Sequence, residues 1–137
     1  MSVEDIREDF EFLEDWEQRY QYIIDLGKNL DALPDERKTE ETLVEGCQSQ
    51  VWIETTELEG EETRLAFRAD SDAHIVKGLV AVLMELFSGK TPKEILAVDA
   101  RAELEALGLE DHLSPTRKTG LIAMIDRIRN EALIRDT

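Results

Sequence analysis

The chain has 137 residues, 42% of them apolar and 35% charged, which suits one domain able to bury a core without disulfides or a structural metal. Its 32 acidic and 16 basic side chains leave a net charge of −16, a field that repels phosphate backbones and anionic membranes and so disfavours nucleic-acid binding. No apolar run approaches the ~18 residues of a membrane span. Met1-Ser2-Val3-Glu4-Asp5 has neither the basic nor the apolar segment of a signal peptide, and one cysteine cannot form an internal disulfide, so a reducing cytoplasm is expected. The acidic surface fits either a partner with a basic patch or simple solvation.

Ile6, Phe10, Leu13, Trp16, Tyr20 and Ile23 recur at three- and four-residue spacings, which predicts one amphipathic helix from Val3 to Lys28 with Gly27 as its stop. Leu30 to Lys38, broken by Pro34-Asp35, reads as a loop. Thr42-Leu43-Val44 is a candidate edge strand leading into Glu45-Gly46-Cys47-Gln48-Ser49. Gln50–Leu58 and Thr63–Asp70 then alternate around the turn Glu59-Gly60-Glu61-Glu62, the pattern of an antiparallel hairpin. Leu65, Phe67 and Ala69 take its inner face. Two strands alone are marginal in water, so a third strand and a covering of helices are expected.

The remainder reads as helical. Asp70-Ser71-Asp72 offers N-cap oxygens to a helix ending near Phe87, with Val76, Leu79, Val80, Leu83 and Phe87 on its apolar face. Thr91-Pro92-Lys93-Glu94 is a capping box, Asp99 opens a helix closed by Gly108, and Ser114-Pro115 opens a last one carrying Leu121, Ile125 and Ile128. Gly78 and Gly120 lie within helices at a cost of about 1 kcal/mol each, which close backbone approach would explain. No composition shift divides residues 1–137, so one α+β domain is expected.

Cys47 is the single cysteine. It reads either as a small buried hydrophobe or as a reactive thiol lifted on a glycine turn, with Gln48 and Ser49 offering donors to its anion. Arg117 and Lys118 oppose the dipole of the helix that Ser114-Pro115 opens. Arg117 therefore either pairs with a nearby carboxylate or faces an anion such as a Cys47 thiolate or persulfide. His74 and His112 are the two histidines, and without His-x-His or Cys-x-x-Cys spacing neither a metal site nor a bound cofactor is expected.

Asp15-Trp16-Glu17-Gln18-Arg19-Tyr20, Val44-Glu45-Gly46-Cys47-Gln48-Ser49-Gln50-Val51-Trp52, Ala69-Asp70-Ser71-Asp72-Ala73, Ile75-Val76-Lys77-Gly78-Leu79 and His112-Leu113-Ser114-Pro115-Thr116-Arg117 together resemble the SufE family, which includes CsdE. The resemblance implies a small curved antiparallel sheet of about three strands packed against several helices, shared with IscU-type scaffolds. It implies that Cys47 accepts persulfide sulfur from a pyridoxal-phosphate-dependent cysteine desulfurase of the SufS or CsdA kind, stimulates that enzyme and passes sulfur on toward an iron–sulfur scaffold. Such a chain is a carrier and activator more than a stand-alone enzyme. A scaffold uses several cysteines to hold a cluster, so one cysteine points to transfer. The rival reading is an acidic regulatory adaptor that docks on a desulfurase without carrying sulfur; a thiol peroxidase would lack a resolving cysteine. Glu40, Glu41 and Glu45 should raise the thiol pKa, with Arg117 opposing them. A sheltered resting sulfur is expected, near Arg117 and the start of the last helix.

Overall fold

The computed structural model describes residues 3–30, 33–46 and 49–136, apart from the side chain of Glu110. Its helices are α1 (Val3–Phe12), α2 (Trp16–Lys28), α3 (His74–Phe87), α4 (Pro92–Ala97), α5 (Ala100–Ala106) and α6 (Pro115–Arg135), around a hairpin of β1 (Val51–Leu58) and β2 (Arg64–Ser71). Short 3₁₀ turns cover Asp35–Arg37 and Glu110–His112. The α+β class follows from the alternation and helical stripes of the sequence.

The hairpin has Val51 opposite Ser71 and Leu58 opposite Arg64. Ile53, Leu65, Phe67 and Ala69 are buried on its inner face. The third strand is cut to a single bridge, Leu43 opposite Trp52. Two bonds make that bridge, Val44 N to Val51 O and Ile53 N to Thr42 O, both 2.8 Å. Pairing goes no further because turns bound it: Leu43 N donates to Thr39 O on one side, and Gly46 takes φ +91° on the other.

Two other expectations are corrected. The predicted N-terminal helix is two helices, because Asp15 accepts the Gln18 amide at 2.8 Å and starts α2 afresh. Arg19 turns back and donates to the carbonyls of Leu13 (3.1 Å) and Phe10 (2.9 Å), satisfying the end of α1. Across the break Phe10 and Trp16 of the predicted stripe still meet edge-on, joined by Tyr22 from outside it. The second correction concerns Asp70, Ser71 and Asp72. The N-cap of α3 is Ala73, with no side-chain cap; Asp72 turns to the exit of the cysteine loop, Ser71 Oγ accepts the Ala73 amide and Asp70 pairs with Lys77.

α3 is the central helix, in contact with α1, α2, β2 and α6. Gly78 lets it approach α2 backbone to backbone, since a Cβ there would collide with the Ile23 carbonyl. Thr91 and Glu94 cap α4 reciprocally, and Gly108 takes φ +71° just after α5. His112 stacks on Trp16 at 3.8 Å between ring centroids, and its carbonyl accepts the Tyr20 hydroxyl, which ties the approach to α6 onto α2. Among the described residues no helix is long and apolar enough to cross a membrane.

Candidate functional site

Cys47 and Gln48 lie outside the described residues, as does the expected shelter of the sulfur. The backbone on either side of them is defined. On the entering side, Val44 is buried and its amide closes the loop onto Val51 O at 2.8 Å. Gly46 follows with φ +91°, a conformation that costs glycine nothing and strains other residues. A Cβ on Gly46 would meet the Ala123 side chain of α6 at 3.3 Å.

On the leaving side, Gln50 is clasped by the stretch before α3. Its amide donates to Asp72 Oδ1 at 3.0 Å, and its carbonyl accepts from Ser71 Oγ at 2.8 Å and from the Asp72 amide at 3.2 Å. Three bonds on one residue hold the loop's exit. Asp72 Oδ1 is thereby turned away from α3, whereas Ser71 Oγ, donating to Gln50, still accepts the Ala73 amide at 3.3 Å.

Beside Ser49, at the loop's exit, is a cavity of about 280 Å³ lined also by Val76, Leu79, Ser114, Thr116, Arg117, Gly120 and Met124. Its floor is apolar, from α3 and α6. Its rim is the N-terminal end of α6, where Ser114 Oγ accepts the Arg117 amide at 3.3 Å. Both described flanks of the loop therefore lie on the first half of α6, Gly46 at Ala123 and Ser49 across the cavity from Arg117. Arg117 is exposed, and Ser49 is half-buried. Glu40, Glu41 and Glu45 are exposed on the entering side.

Residues 4–132 match the model of the SufE family, described as an Fe-S metabolism associated domain. The chain belongs to the SufE family. An uncharacterized SufE-like protein of Rhizobium meliloti (strain 1021) is 48% identical over 132 residues, covering 96% of this chain and 94% of its own. A second, from Rhizobium etli, is 48% identical over 135 residues, covering 98% and 91%. The solution structure of a hypothetical protein from Thermus thermophilus superposes with a TM-score of 0.71 at 26% identity, over 96% of each chain. This SufE-family chain is accordingly associated with iron–sulfur metabolism and carries the SufE-like fold.

The SufE-family frame around the loop rests on two charged groups, Asp70, which the sequence offers only as a helix cap, and Arg127, which it does not single out. Asp70, only 7% exposed, accepts the Ser71 amide at 2.8 Å and pairs with Lys38 and Lys77, each at 3.2 Å. Burial pushes its carboxyl up, but the amide and the two ammonium groups outweigh burial and hold it below the usual carboxylate range. Lys38 also sits 5.2 Å from the centroid of the Trp52 ring, so Asp70 links the segment before the loop, β1 and α3. The second group is Arg127 on α6, which reaches the carbonyls of Glu41 and Leu43. A cation off the Leu121–Ile125–Ile128 stripe is the sole sequence signal for it, and that signal is common to many surface residues. Among the described residues no group of three or more His, Cys, Asp or Glu side chains could hold a metal ion.

Proposed function

We propose that this SufE-family chain is a sulfur-transfer protein in which Cys47 takes persulfide sulfur from a pyridoxal-phosphate-dependent cysteine desulfurase of the SufS or CsdA kind. The observation that carries this reading is a segment holding the single thiol whose described flanks are bonded at both ends, with Ser49 lining a cavity at the start of α6. The Cys47 thiolate attacks the terminal sulfur of the enzyme's persulfide, forming a new S–S bond while the old one breaks. The enzyme's cysteine leaves as a thiolate, so no external oxidant or reductant is consumed. With no second cysteine to resolve the product, the sulfur passes to another protein, an iron–sulfur scaffold being the natural acceptor.

Arg117 serves as the anion partner of the thiolate or persulfide, and Gly46, Gln48 and Ser49 form the supporting loop. Docking also stimulates the desulfurase, by removing its sulfur between turnovers. The acidic surface suits a partner with a basic patch around its own cysteine. The chain acts in the cytoplasm as one SufE-like domain over residues 1–137.

Incubation with desulfurase and free cysteine, followed by intact-mass measurement, should add sulfur to the wild type and none to Cys47→Ser. A desulfurase that turns over without any mass gain on the wild type overturns the reading. The adaptor alternative is separated by Cys47→Ala, which would then retain full stimulation of the desulfurase.

A further inference from the structure

The segment that leads into the cysteine loop is held by a residue 84 positions further along the chain. Arg127 donates from Nη1 to the Leu43 carbonyl at 3.1 Å and from Nη2 to the Glu41 carbonyl. Its Nε donates to Glu131 Oε1 at 3.1 Å, one turn further along α6, and Glu131 accepts from Arg135 at 2.8 Å. All three guanidinium nitrogens thus donate, and the Arg127 and Glu131 side chains are only 24% and 18% exposed. One planar fork meets two carbonyls on the same side of the segment, a geometry that an ammonium group cannot reproduce.

The placement on α6 is systematic. Gly120 and Met124 line the cavity with Ser49, Ala123 meets Gly46, and Arg127 holds Leu43 and Glu41. Steps of three and four residues put these groups on one helix face, so that face supports the loop from its base to its far flank. At the base itself the sheet contributes one bridge, which alone is a weak anchor. Arg129, two residues on, makes an ordinary tie, donating to the Leu96 carbonyl at 3.2 Å away from the loop.

We infer that Arg127 is a positioning residue for the Cys47 loop: by fixing the carbonyls of Glu41 and Leu43 it sets where the loop leaves the sheet, and so where the thiol stands when a partner's persulfide arrives. The inference rests on the sulfur-transfer reading for its consequence in catalysis, but not for its effect on the loop. Misplacing a reacting atom costs rate after docking, not docking itself, so the effect belongs in kcat for sulfur uptake and not in KM.

The test compares full-length wild type with Arg127→Gln, Arg127→Lys and, as a control for general destabilisation, Arg129→Gln. Amide exchange at Val44 and Ile53 is followed by NMR, and sulfur uptake is measured with a SufS-type desulfurase and free cysteine. Arg127→Gln is expected to speed exchange at both amides about tenfold and to lower uptake kcat about tenfold with KM unchanged. Arg127→Lys recovers part of both, and Arg129→Gln changes neither at a comparable loss of Tm. Exchange in Arg127→Gln equal to that in Arg129→Gln overturns the inference, as does an unaltered kcat. If the wild type takes up no sulfur, the transfer reading fails, while the exchange rates still decide whether Arg127 fixes the loop base.

Discussion

Gly27 and Gly78 meet where α2 crosses α3, so closely that a Cβ on Gly27 would lie 2.7 Å from the Gly78 amide nitrogen. In an isolated helix, Gly78→Ala would gain about 1 kcal/mol of propensity. Here overpacking against the Ile23 carbonyl, about 3 kcal/mol, is the larger effect. A net loss of about 2 kcal/mol is expected, read as a lower urea midpoint at unchanged m-value. A more stable variant would mean that the crossing has room to spare.

Asp70 gives the stability a defined pH dependence. Its carboxyl is held below its ordinary value, so its contribution is complete above the unfolded pKa of about 3.9 and is lost as pH falls through the lower folded value. Asp70→Asn can still accept the Ser71 amide but removes the anion that Lys77 pairs with and leaves Lys38 with Asp35 alone. We expect it to lose about 1–3 kcal/mol at pH 7, with the gap narrowing as the pH drops below about 4. Urea unfolding at pH 7, 5 and 3 measures this, and a gap independent of pH would contradict it.

Arg117 lines the cavity at the loop's exit together with Ser49. If it faces the thiolate, Arg117→Gln should shift the pH–rate profile for bimane labelling of Cys47 to higher pH and slow labelling at neutral pH by a few fold. An identical profile would remove Arg117 from the site and leave it a surface cation.

The resting thiol should be sheltered. A persulfide is readily reduced or oxidised, and the cavity offers the apolar walls of Val76, Leu79 and Met124 beside the loop. Iodoacetamide should label Cys47 of the isolated protein more slowly than it labels an unfolded peptide, and faster once desulfurase is added. Labelling of the free protein at the peptide rate would refute shelter and leave transfer standing.

Local chemistry alone was enough for the hairpin, the Thr91–Glu94 capping box and the glycine stop at Gly108. A period of two forces a strand to show one face to the core, and a cap needs only residues within one turn. The block Gly46-Cys47-Gln48-Ser49, with Ser114-Pro115-Thr116-Arg117 downstream, was likewise sufficient to indicate the family that residues 4–132 match.

Tertiary structure decided what a local pattern leaves ambiguous. Apolar residues spaced by three and four look the same on one straight helix and on two that meet at an angle, so the break at Asp15 depended on where Arg19 and the aromatic cluster could pack. The Asp72 carboxylate could have capped α3, but Gln50 lies opposite it across the hairpin and donates its amide to it, while Ser71 Oγ accepts the Ala73 amide, short of the helix itself. Arg127 has no local signature, since its partners are carbonyls 84 and 86 residues away. A backbone carbonyl is present at every residue, so only the folded chain determines which ones an arginine reaches.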